Sequence, residues 1–504
     1  MVGTTEVDRH RRRTRNRVAL VCGAVIFGLI GFTLFGRPYT FFDMKIYHGA
    51  VVWWASGNDI YEFVSPQLGL GFTYPPFAAL TMLPMATMSA LAAGWVNAVA
   101  AVTALAVVLA FLIHPIADRC GWPRWVAVGT AVPLAVGLEP IRETIGFGQV
   151  NLLLFGLVMA DLVALRFRSA GVAGSTRAAG LAGPLLAPGD ARAGSSLVAA
   201  FAGGAALRRF FYSGAWAGAG IGLATAIKLT PGLFILYLIV ARHWRPAIVA
   251  AATAAGATAA AALLAPRESI AYFTSVLWQT DRVGTADFTP NQSLAGVLAR
   301  LYDSPETPGL LWLTFAAVCC ALGLSRAATA HAEGDELAAF TLVGLTAVVI
   351  SPISWTHHLV FVVPALVIMV DGALRRRSAS RGPARRWRSH RYEPGGFLTD
   401  GPALAGLGYA AAAAGTYVLF LLAPVWWAHH RLPEGSHYDS GMWGVLAENS
   451  LALAVIVLVA ALPWRPGAEP AFPAPASAAF RPPAPRSVQV DQLAAPDPRA
   501  APPG

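Results

Sequence analysis

Charge is what this sequence has least of. Only 13% of its 504 residues are Asp, Glu, Lys or Arg, against 56% that are hydrophobic, and the mean hydropathy is +0.55. Soluble domains carry about 25% charged residues, so the composition excludes a water-soluble globule and predicts a polytopic membrane protein. About a dozen apolar stretches approach the ~20 residues that a helix needs to cross the hydrocarbon core, which predicts an all-α fold rather than a barrel. Cysteine is scarce too. Cys22, Cys120, Cys319 and Cys320 lie in or beside apolar stretches, and the adjacent pair lacks zinc-ligand spacing, so they read as packing residues. No fixed short repeat is present, which excludes a solenoid.

Acidic residues are outnumbered, 27 to 37, for a net charge of +10. The arginines gather at helix ends instead of interleaving with aromatics on one face, so they report topology and not nucleic-acid binding. Arg9, Arg11, Arg12, Arg13, Arg15 and Arg17 precede the apolar run Val18 to Gly36. This places a basic segment, 1–17, in the cytoplasm. No small-residue cleavage site follows before Arg37-Pro38, which argues against a signal peptide.

Alternation of sides across about twelve spans between 18 and 465 then puts 37–88 outside. The Gly/Ala-rich insert 166–212, the pair Arg242 and Arg245, and the basic loop 375–400 fall inside. Within 37–88, Asp43, Tyr47, Ala50, Val51 and Trp54 recur at helical spacing, predicting an interfacial helix over 42–56 that ends in the Gly57-Asn58-Asp59 turn. The stretch Pro75 to Met88 is short for a span and interrupted by Pro84, so it reads as a second interfacial or re-entrant helix. The Pro/Ala-rich tail 466–504 is too poor in large apolar groups to pack and is predicted to be disordered.

Five polar clusters fall at the predicted outer ends of spans: Asp43 to His48, Tyr74-Pro75-Pro76, Gly148-Gln149-Val150-Asn151, Lys228-Leu229-Thr230-Pro231 and Ser354-Trp355-Thr356-His357-His358. A sixth, Asn291-Gln292-Ser293, lies in the outer loop 266–306. A carboxylate at the mouth of an apolar bundle is costly unless water, a partner or a substrate meets it; the bland alternatives for Asp43 are a pair with Lys45 or a helix cap. Lys228 interrupts an apolar stretch just before a helix-breaking proline, and its compact charge suits a phosphate, with a snorkelling lysine as the alternative.

His357 and His358 point to different sides, so one faces a cavity while the other is structural. Adjacent histidines lack the i,i+4 geometry of a helical zinc site, and no metal is expected there. Gln149, Asn151, Asn291 and Gln292 suit sugar hydroxyls or interhelical hydrogen bonds. Asn291-Gln292-Ser293 also fits a glycosylation sequon.

Taken in order, Phe42-Asp43-Met44-Lys45-Ile46-Tyr47, Gly57-Asn58-Asp59-Ile60-Tyr61, Tyr74-Pro75-Pro76, Gly148-Gln149-Val150-Asn151, Lys228-Leu229-Thr230-Pro231, Asn291-Gln292-Ser293 and Ser351-Pro352-Ile353-Ser354-Trp355-Thr356-His357-His358 resemble the actinobacterial polyprenol-phosphate-mannose-dependent α-(1,2)-mannosyltransferases, glycosyltransferase family 87 of the C-type membrane superfamily. The resemblance covers residues 18 to 465 and leaves out the insert and the tail. It implies a C-type glycosyltransferase fold and inverting transfer of mannose from polyprenyl-phosphate-mannose to a glycolipid acceptor: a phosphatidylinositol mannoside, lipomannan or lipoarabinomannan. The implied location is the outer face of the plasma membrane, with no cofactor.

Asp43 aligns with the catalytic base. Lys228, His357, His358, Gln149, Asn151, Tyr74 and Arg142 are expected around the donor phosphate and sugar, and Tyr47, Asp59, Tyr61, Asn291, Gln292 and Trp355 around the acceptor. An arabinosyl- or glucosyltransferase using the same kind of donor, or a membrane transporter, are the competing readings. A transporter should show matched broken helices in both halves, and only Lys228-Leu229-Thr230-Pro231 qualifies.

Overall fold

The computed structural model describes residues 2–37, 39–66, 69–169, 210–381, 406–431, 437 and 441–468. Most of the insert 166–212, most of the basic loop 375–400 and nearly all of the tail 466–504 lie outside the described residues.

Among the described residues there is no strand, only two isolated β-bridges. The chain begins with α1 (Val2–Leu34), which joins the basic segment to the first apolar run, and continues through α2 (Phe42–Ala55) and α3 (Pro76–Met82), the latter running into a 3₁₀ turn (Leu83–Thr87). Then come α4 (Ala90–Leu112), α5 (His114–Cys120), α6 (Arg124–Gly137), α7 (Glu139–Phe147) and α8 (Asn151–Ser169). After the insert follow α9 (Ala219–Ile227), α10 (Leu233–Val240), α11 (Trp244–Leu264), α12 (Pro266–Thr274) and α13 (Leu294–Leu301). The last elements are α14 (Gly309–Ala332), α15 (Glu336–Ile350), α16 (Val362–Arg381), α17 (Leu407–Leu422), α18 (Val425–Arg431), α19 (Gly441–Glu448) and α20 (Ser450–Ala461).

The helix expected over 42–56 is α2, and its buried residues include Tyr47, Ala50 and Val51. The stretch Pro75 to Met88 forms a seven-residue helix and a 3₁₀ turn, too short to cross a bilayer. Five described helices are long and apolar enough to cross, and up to seven if α7–α8 and α19–α20 each count as one span bent by 119° and 62°. Four shorter apolar helices accompany them, so length and composition alone establish a polytopic membrane protein without reaching the expected twelve spans. The segment that carries Arg142 is helical: Pro140 in the first turn favours α7, and Gly148, at φ 75°, ends it in the left-handed conformation that glycine adopts without penalty.

The core is centred on α15, whose residues from Leu337 to Val349 are all buried. A helix apolar on every face has to be enclosed by others, and Thr341 and Thr346 fit by returning their hydroxyls to the carbonyls of Leu337 and Leu342, both at 2.7 Å. Small residues set the closest crossings. At Gly28 of α1 an added Cβ would lie 2.5 Å from the Pro133 carbonyl oxygen of α6, the kind of approach that packs helices where lipid gives no hydrophobic drive.

The two ends of the bundle differ. At one, Arg465 makes a two-pronged contact with Asp335 and reaches Asp371 at 2.9 Å; Asp371 also takes Arg119 and Arg375. At the other, the C-terminal ends of α1, α9 and α15 meet the entries to α2, α8 and α10 and the loop before α16, around a cavity.

Candidate active site

The cavity has a volume of ≈ 1040 Å³, at the upper end of the roughly 300–1,000 Å³ typical of small-ligand sites. All five polar clusters singled out in the sequence contribute to its wall, through Asp43, Tyr74, Gln149, Lys228 and His358 among others.

Gly148 brings the first two of its working groups together. An added Cβ there would stand 2.6 Å from the Cβ of Met44, so the absence of a side chain lets the start of α2 lie directly against the turn between α7 and α8. The Gln149 Nε2 then donates to Asp43 Oδ2 at 2.7 Å. Behind Gln149 a chain of hydroxyls fixes its amide: Tyr47 OH donates to Tyr74 OH at 3.3 Å, and Tyr74 OH donates to Gln149 Oε1 at 3.0 Å. Tyr61 OH holds the Tyr74 carbonyl at 2.9 Å. Because Oε1 is occupied as an acceptor, the amide has one orientation and presents its NH2 to the carboxylate.

Asp43 Oδ1 takes no hydrogen bond from the described residues. Asp43 is half-buried, open to the cavity and otherwise surrounded by protein. Burial raises its pKa from 3.8 to about 7, with the Gln149 hydrogen bond and the Lys228 charge acting against the rise and Glu143 adding to it.

The second group is the Lys228 amine, whose pKa burial lowers from 10.5 to about 7 while the Asp43 charge acts against the fall. Lys228 caps the C-terminus of α9 in an extended conformation, followed by a 3₁₀ turn that begins at Thr230. Its Nζ donates to Asn151 Oδ1 at 3.1 Å, lies 2.9 Å from His358 Nε2 and stands 5.5 Å over the Tyr74 ring. Asn151 Nδ2 and Thr144 Oγ1 both donate to the His357 carbonyl at 3.0 Å, pinning the loop that carries both histidines. His358 Nδ1 accepts the Trp355 N–H at 3.2 Å. The His357 ring packs edge-on against Phe147 and leaves its buried Nε2 without a hydrogen-bond partner. Both histidines line the cavity, so neither is confined to the structural role that their adjacency suggested for one of them.

Not every residue singled out from sequence reaches that wall. Tyr47 and Trp355 do. Asn151 lies beneath Lys228. Arg142 is fully buried and donates to the Gly137 and Leu421 carbonyls at 2.7 and 2.9 Å, tying α6 to α17. Asp59 accepts the Tyr61 N–H at 2.8 Å and shapes the turn after α2.

Asn291 has no exposed surface and braces Pro352 and Ser354, while Gln292 bonds Thr289, Glu448 and Ala452. A fully buried Asn291 whose Nδ2 already donates to two carbonyls is no glycan acceptor.

Sequence reasoning passed over Arg37, Arg282 and Trp426, which also line the cavity. The Arg37 guanidinium stacks 3.0 Å from the Trp426 ring, and Arg282 donates to the Tyr61 carbonyl at 2.5 Å. The available signal was position: Arg37 directly follows the first apolar run, and Arg282 directly follows Asp281 in the outer loop 266–306.

The arrangement can take a proton at Asp43 and hold an anion at Lys228 within one cavity. The family model for glycosyltransferase family 87 matches residues 72–207 and 192–352. A Mycolicibacterium smegmatis protein described as a polyprenol-phosphate-mannose-dependent alpha-(1-2)-phosphatidylinositol mannoside mannosyltransferase is 30% identical over 459 residues, 85% of this chain and 86% of its own. A protein of the same description from Mycobacterium tuberculosis is 29% identical, covering 71% of this chain and 76% of its own. A second M. smegmatis protein, described as acting on phosphatidylinositol pentamannoside, is 28% identical over 75% of this chain and 80% of its own. No solved structure matches the chain.

Proposed function

Since the chain belongs to glycosyltransferase family 87, we propose that it transfers mannose from polyprenyl-phosphate-mannose to a phosphatidylinositol mannoside, forming an α-(1→2) bond with inversion at the anomeric carbon. The observation that carries this reading is the pairing in one cavity of a carboxylate with a free oxygen, Asp43, and an ammonium, Lys228. Asp43 removes the proton of the acceptor hydroxyl as its oxygen attacks C1 of the mannosyl group. The bond between C1 and the phosphate oxygen breaks, and polyprenyl phosphate leaves with the electron pair. Lys228 meets the growing phosphate charge, and Gln149 holds Asp43 in line. Trp355 and Tyr47 offer apolar and hydroxyl contacts to the sugars.

Incubating membranes with radiolabelled polyprenyl-phosphate-mannose and phosphatidylinositol mannosides is expected to give a labelled glycolipid with a new α-(1→2) mannose. Labelled arabinosyl or glucosyl donors serving better would replace mannose, and no transfer from any lipid-phosphate sugar would remove the reading.

The same reading places a C-type glycosyltransferase fold of about twelve spans in the plasma membrane, between a cytoplasmic basic segment 1–17 and a cytoplasmic tail, with 37–88 and the cavity outside. The positive-inside distribution of arginine supports this. In a cysteine-free background, an impermeant thiol reagent on intact cells should label a cysteine at exposed Asn58 and spare one at exposed Arg245. The reverse pattern would invert the topology.

A further inference from the structure

At the bundle end remote from the cavity, three side chains from three elements meet. His243 caps the N-terminus of α11, His331 lies in the last turn of α14, and Glu336 opens α15. Fifteen residues of α15, roughly 22 Å of helix, separate Glu336 from Ile350 at the cavity wall. One ligand-type atom from each of the three residues falls within 4.8 Å of the other two. His331 Nδ1 contacts Glu336 Oε2 directly, and the two imidazole rings stand 4.5 Å apart at their centroids.

We propose that His243, His331 and Glu336 form a binding site for a divalent transition-metal ion, with zinc the best fit, that joins the α10–α11 and α14–α15 connections. Two features argue for an ion over a simple hydrogen-bonded clamp. The His243 Nε2 is buried without a hydrogen-bond partner, and its 3.7 Å separation from Glu336 Oε1 is too long for one. That length is close to the edge of a tetrahedral zinc site, about 3.3 to 3.6 Å for bonds of about 2.0 to 2.2 Å.

The site also has an outer layer: Tyr237 OH donates to Glu336 Oε1 at 2.6 Å, the kind of contact that holds a ligating carboxylate in place. Side-chain exposures of 23%, 28% and 17% for His243, His331 and Glu336 leave a way in for the ion and room for a water as fourth ligand. Two imidazoles and a carboxylate are a donor set that suits zinc over the hard cations magnesium and calcium, which take oxygen.

The test is metal content and zinc-dependent melting of the full chain, purified in detergent without a metal-affinity step. About one zinc per chain is expected, with a melting temperature that chelator lowers and added zinc restores. His243→Gln should weaken zinc binding at least tenfold while melting like the chelator-treated wild type. Tyr237→Phe, which keeps all three ligands, should weaken binding less. The proposal is overturned if wild type and His243→Gln bind zinc equally, or if neither carries zinc and neither melting curve responds to it. Should His243→Gln fail to fold, competition for zinc between the wild type and a chromogenic chelator decides, with no withdrawal of zinc by the protein counting against the site. None of these readouts depends on glycosyl transfer, so the site stands or falls apart from the catalytic reading.

Discussion

Asp43→Asn is expected to lower mannosyl transfer by roughly 10² to 10⁴ while the protein inserts and melts as wild type. The amide keeps the size of the carboxylate, and its oxygen can still accept from Gln149 Nε2, the 2.7 Å contact that holds the start of α2. It cannot accept the acceptor's proton. Stability should move little. The neutral side chain forfeits a first-turn dipole interaction of about 0.3–1 kcal/mol, but it also removes a charge that burial disfavours.

Asp43→Glu keeps the charge and moves it by one methylene, and a displacement of about 1 Å costs on the order of 10² where attack must be aligned. Near-wild-type transfer by Asp43→Asn would reduce the residue to a helix-start group.

The pH profile supplies an independent readout. A base raised to about 7 is protonated below that pH and inactive, so kcat/KM should rise from the acid side with a midpoint near 7; because burial also lowers Lys228 to about 7, it should fall again on the alkaline side as that ammonium loses its proton, giving a bell. The Gln149 hydrogen bond acts to lower the Asp43 pKa, so Gln149→Leu should move the midpoint upward. A profile without the acid limb in the wild type would mean that another group takes the proton.

What the sequence made legible follows from where the physics is local. The helix over 42–56 was readable because its apolar positions repeat at 3.6 residues, and the cavity end was readable because each polar cluster terminates an apolar run. Side alternation then predicts that all of them gather at one end. Residues whose role depends on a distant partner were harder to place. Arg142 lies between Glu139 and Glu143 in sequence and looks like a substrate contact, yet its hydrogen bonds go to main-chain carbonyls 5 and 279 residues away. Asn291 and Gln292 have the chemistry for sugar hydroxyls, but the loop before α16 and the start of α20 satisfy them first.

The hydroxyl chain from Tyr47 through Tyr74 to Gln149 spans 102 residues of sequence in two hydrogen bonds, of 27 and 75 residues. No local pattern encodes such a pairing. The His243–His331–Glu336 group was invisible for the same reason, since its members have no ligand spacing along the chain.

Lys228→Gln is expected to cut kcat/KM for the lipid-phosphate donor about ten- to a hundredfold, the equivalent of about 1.5 to 3 kcal/mol for one charge-assisted contact. The neutral amide retains polarity toward Asn151 and His358, which wild-type Lys228 meets at 3.1 and 2.9 Å, so the turn after α9 should keep its shape. It cannot neutralise a departing phosphate. Because charge on the leaving oxygen grows toward the transition state, the loss should appear in kcat as well as in KM.

Lys228→Arg restores the charge as a planar fork in place of a compact ammonium, and should rescue only in part. Together the variants separate the two roles of the cavity. Asp43→Asn removes the base and leaves donor binding, measured by retention of labelled donor, close to wild type; Lys228→Gln weakens donor retention and leaves the Asp43-dependent limb of the pH profile in place, displaced upward because the Lys228 charge acts to lower the Asp43 pKa. Turnover of Lys228→Gln equal to wild type at limiting donor would take the lysine out of phosphate recognition and assign it to holding His358 alone.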